Sequence, residues 1–154
     1  MALTTLNTAP IFSGTPRVSF VQIPQATASV NSQTGGGAIG TNTFIAFTAG
    51  ASGSYLQKIR FQYTSTTNAI NSVLTAFKVY ISTVNTGTPT TSQIALIADV
   101  QAPAQTIGAV STSAYPIDVP LNVAIPANNY ILVTQTVAQT ANSAWVATVF
   151  GGDY

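Results

Sequence analysis

The run P-I-D-V-P-L-N-V-A-I-P, residues 116–126, constrains the fold more than any other stretch. Its odd positions, Ile117, Val119, Leu121, Val123 and Ile125, are apolar without a break. Its even positions hold Pro116, Asp118, Pro120, Asn122, Ala124 and Pro126. Alternation of this kind marks a half-buried β-strand, because successive side chains point to opposite faces. Residues of one parity also direct their N–H and C=O groups toward one lateral edge. Pro116, Pro120 and Pro126 therefore remove donors from a single edge, which sheets tolerate where no neighbour needs them. The expectation is an edge strand over 117–125, bonded on one side and blunted on the other. The competing arrangement is a strand that changes sheets through a bulge at Pro120.

The same period runs through most of the chain, and helical periodicity is nearly absent. R-V-S-F-V-Q-I (17–23) sets Val18, Phe20 and Gln22 against Val21 and Ile23. T-A-S-V-N (27–31) and T-F-I-A-F (43–47) read as short strands. Y-L-Q-K-I-R-F-Q-Y (55–63) places Tyr55, Ile59, Phe61 and Tyr63 on one face and Lys58, Arg60 and Gln62 on the other. V-L-T-A-F-K-V-Y-I-S-T (73–83) reads with Val73, Phe77, Val79 and Ile81 inward and Lys78 and Tyr80 outward. Segments 94–100, 130–137 and 145–150 complete the set, and 67–74 is the lone helix candidate. Short alternating strands between Gly, Pro, Asn and Ser turns predict an all-β, antiparallel, jelly-roll-like β-sandwich of eight to ten strands. Residues 1–16, punctuated by Pro10 and Pro16, read as an extended N-terminal arm carrying Ile11 and Phe12, and 17–154 as one sandwich domain.

Charge is scarce. Only 5% of the 154 residues are charged, against roughly 25% in ordinary soluble domains. The cations are Arg17, Lys58, Arg60 and Lys78, and the acids Asp99, Asp118 and Asp153. A net charge of +1 offers no dense basic patch for nucleic acid or an anionic membrane. Disorder is equally disfavoured, since 46% of residues are hydrophobic. A near-neutral surface does little to hold copies apart, so the composition leans toward a protein that works in an assembly. The N-terminus lacks the basic region and apolar core of a secretory signal, and no window reaches membrane-helix length. Synthesis in a cytoplasm without export is the expectation.

The inventory also limits catalysis. Without His, Glu or Cys, acid–base work would fall to the three aspartates, and only if two converge. A serine nucleophile would need Lys58 or Lys78 as its base, and Lys58 alternates outward with Arg60 and Gln62. No zinc or EF-hand spacing occurs, which leaves only a Ca²⁺ site built mainly of backbone carbonyls open. G-G-G-A-I-G (35–40) formally matches a dinucleotide fingerprint, but a strand follows it and no acid occurs at 55–65. A flexible connection, or a close approach by a neighbouring chain, is the expectation there. The reading is therefore non-enzymatic, with no catalytic, cofactor-binding or metal residues and no cofactor. Tyr80, Tyr115, Trp145 and Tyr154 are candidates for a sugar platform, with core or interface packing as the alternative. Lys58, Arg60 and Lys78 are read as a small basic spot across neighbouring strands.

The sparsely charged Thr/Ser/Asn/Gln-rich surface, the arm, and the strands L-Q-K-I-R-F-Q-Y, F-K-V-Y-I-S-T and P-A-N-N-Y-I-L-V-T-Q-T together resemble the jelly-roll decoration, or cement, proteins of tailed-bacteriophage heads. The resemblance covers most of 17–154 and is one of texture, without a diagnostic motif. It implies a virion structural protein, made in the host cytoplasm, that sits on the capsid surface and bridges major capsid proteins. It also implies a homo-oligomer, with a trimer favoured. Ile11, Phe12, Lys58, Arg60, Lys78, Tyr80 and Tyr154 are the expected contact residues. The alternative is a carbohydrate-binding or host-attachment domain of a tail fibre or baseplate.

Overall fold

The computed structural model describes residues 14–24, 37–65, 70–105 and 114–154. The arm residues Ile11 and Phe12, the expected strand at 27–31 and Gly35 lie outside these. Among the described residues eight strands form: β1 (Thr15–Pro24), β2 (Phe44–Thr48), β3 (Ser54–Ser65), β4 (Thr75–Ser82), β5 (Ile94–Ala102), β6 (Ile117–Ile125), β7 (Tyr130–Gln135) and β8 (Ser143–Asp153). The expected arm therefore gives up Thr15 and Pro16 to β1. Of the helix candidate, residues 70–74 are irregular and 67–69 lie outside the described residues.

The strands build two four-stranded antiparallel sheets, ordered β1-β8-β3-β6 and β2-β7-β4-β5. Late strands insert between early ones: β8 separates β1 from β3, and β7 separates β2 from β4. Eight strands in two sheets with this order make a jelly-roll sandwich. Its core is the inward parity of both sheets, including Ile23, Leu56, Ile59, Phe61, Phe77, Val79, Ile131, Val133, Trp145 and Val149, all buried.

β6 spans the expected residues and lies at a sheet edge, paired with β3. Ile117, Val119, Leu121 and Val123 pack against the core, and Ile125 is buried within it. The sequence posed a choice between an edge strand and one that changes sheets through a bulge at Pro120; β6 is an edge strand that stays in one sheet, with an irregularity just after Pro120. Its register against β3 slips between Lys58↔Pro120 and Leu56↔Val123, and Asn122 adopts φ 47° there. Asparagine tolerates the left-handed region better than most residues, so it suits the extra position.

The slip also involves Gln57 of β3, because pairing with β8 shifts at the same place. This corrects the expected face of β3: Leu56 is buried and Tyr55 only half-buried, since the extra residue reverses the parity before Lys58. Gly151 sits opposite Leu56, and a Cβ there would collide with the Tyr55 carbonyl. In β4 the expected inward Val73 is exposed ahead of the strand, and Ile81 is only half-buried.

The prolines fix the hydrogen-bond parity of the first sheet. One row across it reads Val18–Phe150–Lys58–Pro120. Pro120 has no N–H to give, so Lys58 directs its backbone groups toward Phe150. Phe150 is then committed to Lys58, and Val18 faces the edge of β1 that no described strand pairs. Pro16 and Pro24 share the parity of Val18 along an unshifted register, and they too lack donors. The carbonyl of Pro24 accepts from the Gln135 side chain at 3.0 Å.

Candidate interaction face

The outer face of the first sheet grades from apolar to charged across about 14 Å, three strand spacings of roughly 4.8 Å. On β1, Val18 is 63% exposed and Phe20 is 73% exposed, the highest value for a large apolar side chain among the described residues. Beside them lie Val146, Thr148 and Phe150 of β8, then Lys58, Arg60 and Gln62 of β3, then Asp118 and Pro120 of β6. The second row reads Phe20–Thr148–Arg60–Asp118.

At the charged end, Arg60 grips Asp118 with both arms, Nε to Oδ1 at 2.6 Å and Nη2 to Oδ2 at 2.8 Å. Lys58 Nζ adds a bond to Oδ2 at 2.8 Å. Hydrogen bonds from Arg60, then Lys58, hold the Asp118 carboxyl well below the usual carboxylate range, and Asp118 in turn raises Arg60. Both cations lie over the Phe150 ring, with Lys58 Nζ at 5.2 Å and Arg60 Cζ at 5.9 Å from its centroid. The triad carries one net positive charge, held against an aromatic face.

All four cations and all three acids of the sequence are ion-paired. Lys78 pairs with Asp99 across β4 and β5. Arg17 pairs with Asp153 at 2.7 Å, and Ser54 Oγ donates to the same carboxylate at 2.6 Å. Burial pushes Asp153 up, but Ser54, Arg17 and the Gly50 amide outweigh it, and the net shift is downward. Gly50 has to be glycine-sized, since a Cβ would stand 2.6 Å from the Asp153 Cγ.

Several expected site residues are redistributed. The basic spot does not form as a threesome: Lys58 and Arg60 lie on β3, whereas Lys78 lies on β4 in the other sheet. Tyr80 does point away from the inter-sheet core, but it is buried in a second cluster with Leu132, Ile94, Ile39 and Ile45. The segment 37–43 supplies that cover, turning at Gly40 (φ 91°) and tied down by the Ile39 amide donating to the Gly87 carbonyl at 2.8 Å. The close approach in the glycine loop is thus to its own chain, with a Cβ on Gly37 clashing with the Asn42 side chain.

Trp145 is buried in the core against Phe77 and Tyr63, which takes it out of any sugar platform. Tyr115 and Tyr154 are 53% and 50% exposed but stand at opposite ends of β6. Tyr154 is anchored by its N–H to the Gly53 carbonyl, beside Ser54↔Ile125, roughly 26 Å along the strand from Ile117. The aspartates are likewise dispersed. Asp99 is in the second sheet, and Asp118 is seven residues, roughly 23 Å, along β6 from the Ile125–Ser54–Asp153 row. Among the described residues, no three His, Cys, Asp or Glu side chains gather as metal ligands.

Val18, Phe20 and Phe150 are absent from the contact residues expected from sequence. Their signal was the parity they share with Pro16, Pro24 and Lys58, and reading it requires knowing that β1 is an edge strand.

No family model and no curated protein matches this chain. Among solved structures, it is similar to a chain in the structure of infectious bursal disease virus Gx strain, at 18% identity and a TM-score of 0.29. That match covers 92% of this chain and 34% of the other. A second is the T13 infectious bursal disease virus particle, at 17% identity and a TM-score of 0.30, covering 89% of this chain and 31% of that one. The chain spans about a third of the length of these neighbours.

Proposed function

We propose that this chain is a non-enzymatic virion structural protein that decorates the outside of a phage capsid and bridges neighbouring major capsid proteins as a homo-oligomer, a trimer being favoured. The observation that carries the reading is the outer face of the β1-β8-β3-β6 sheet. It leaves Val18 and Phe20 open to solvent beside Phe150 and a charge triad already neutralised to one net positive charge. A face of this kind suits a broad contact made of apolar area and hydrogen bonds. Few ion pairs would cross such a contact, so added salt has little to screen. Buried Trp145 and the separation of Tyr115 from Tyr154 weaken the carbohydrate-binding alternative.

Deleting the gene from its virus tests the proposal. Purified particles should lose many copies of this protein per capsid and become more sensitive to heat and osmotic shock. Unchanged particle mass and resistance would sink the reading.

A further inference from the structure

We infer that the lateral edge of β1 left unpaired by the described strands pairs antiparallel with β1 of a second copy, about a two-fold axis at Phe20. The first sheet has two edges, and they are built differently. At β6 the outward donors are removed at Pro116 and Pro120, and the register breaks at Asn122. At β1 the outward groups belong to Val18, Phe20 and Gln22, which keep both donor and acceptor. No charged side chain guards that parity. Arg17, the one charge on β1, faces the other way and is paired to Asp153. Between Pro16 and Pro24 this parity carries no bulge, proline or charge, and such a stretch of edge is a template for strand addition.

The sequence of β1 selects a second copy as the occupant. Pro16 and Pro24 lie four residues to either side of Phe20. With the two-fold axis at Phe20, each proline of one chain meets the other proline of its mate, so the donorless positions coincide and pairing stops there. Between them Phe20 opposes Phe20, and Val18 opposes Gln22, in bonded pairs giving about six inter-chain backbone bonds. Any other antiparallel register sets a proline against Val18, Phe20 or Gln22 and wastes a donor. The result is a continuous eight-stranded sheet in which two exposed Phe20 rings cover one another on the outer face.

Charge permits the contact, because every ion in the chain has a partner within it and the net charge is only +1, so the copies repel little. The paired strip spans seven residues, about 23 Å, so its area is short of the roughly 1,200 Å² of stable interfaces and the pairing depends on concentration. Being isologous, it joins two copies, and in a trimer it is the link between neighbouring trimers. It does not depend on the capsid assignment.

The chain has no cysteine, so an introduced thiol reports cleanly. In a bonded pair, facing Cα atoms are about 5.5 Å apart, within disulfide range. Phe20→Cys should therefore cross-link to a dimer under mild oxidation at high protein concentration. Val18→Cys is the register control, since its own mate would stand about 13 Å away along the strand. The expected result is dimer formation roughly tenfold or more faster for Phe20→Cys than for Val18→Cys. Gln22→Pro deletes one outward donor without touching the β8 ladder, and should abolish concentration-dependent dimers in sedimentation while its circular dichroism stays native. Equal cross-linking rates overturn the inference. So does a natively folded Gln22→Pro protein that dimerises like the parent.

Discussion

Phe61 of β3 and Phe77 of β4 stack across the space between the two sheets, with ring centroids 4.2 Å apart and planes within 6° of parallel. Trp145 of β8 meets the same Phe77 ring edge-on at 4.9 Å. Three strands from both sheets are thereby locked through one side chain. Phe77→Ala should cost about 3–5 kcal/mol, because a fully buried aromatic leaves a cavity that the sheets cannot close. Urea denaturation followed by Trp145 fluorescence measures it. A loss under about 1 kcal/mol would show that the stack is not the keystone of the sandwich.

The bulge in β3 depends on bare backbone opposite it. Gly151→Ala drives a methyl into the Tyr55 carbonyl and the Leu56 side chain, and should destabilise by about 1–3 kcal/mol. Gly87→Ala is the useful contrast. Its Cβ would meet nothing within 4 Å, so only the left-handed backbone (φ 72°) opposes it, at about 1–2 kcal/mol. Thermal melts of the two variants should rank them in that order.

Acid should be the only mild pH stress the fold feels. With no His, Glu or Cys, no side chain has an ordinary titration point between about pH 5 and 8. Asp118 and Asp153 are both lowered in the folded state. Their contribution is therefore complete above the unfolded value near 3.9, and is lost as pH falls through the folded values. Stability should be flat from about pH 5 to 8 and decline below about 4. In Asp118→Asn the acid decline should be shallower, as equilibrium denaturation at stepped pH would reveal.

Phe20→Ser separates the surface from the fold. The side chain is exposed, so stability should stay within about 0.5 kcal/mol of the parent. Binding to particles lacking the protein should nevertheless weaken measurably in a co-sedimentation assay. Parent-like binding by this variant would remove Phe20 from the interaction face.

The sequence made the strands legible because their period is local: 117–125 is recovered residue for residue, and the sheet edge follows from proline parity alone. What it hid was non-local. Gln57 falls on the same parity as Tyr55 and Ile59, and its role as a bulge appears only when β3 is read against both β6 and β8. Tyr80 has outward parity, but its burial depends on where 37–43 folds back. Lys78 seemed a neighbour of Arg60 because alternation cannot say which sheet a strand joins. Phe20 shows the converse, an apolar residue that the pattern would pass over and the topology leaves on an open face.

The insertion of β8 between β1 and β3 also sets the order in which the molecule can be made. Thr15 pairs with Asp153, and the same β8 residue faces Ser54. While β8 is still being synthesised, β1 has no partner in its sheet, and β3 holds only β6. Closure of that sheet therefore waits until β8 has left the ribosome, and it forms contacts of high sequence separation, the slow class of folding event. Removing Ser143–Asp153 would excise the middle of a sheet, not trim its border.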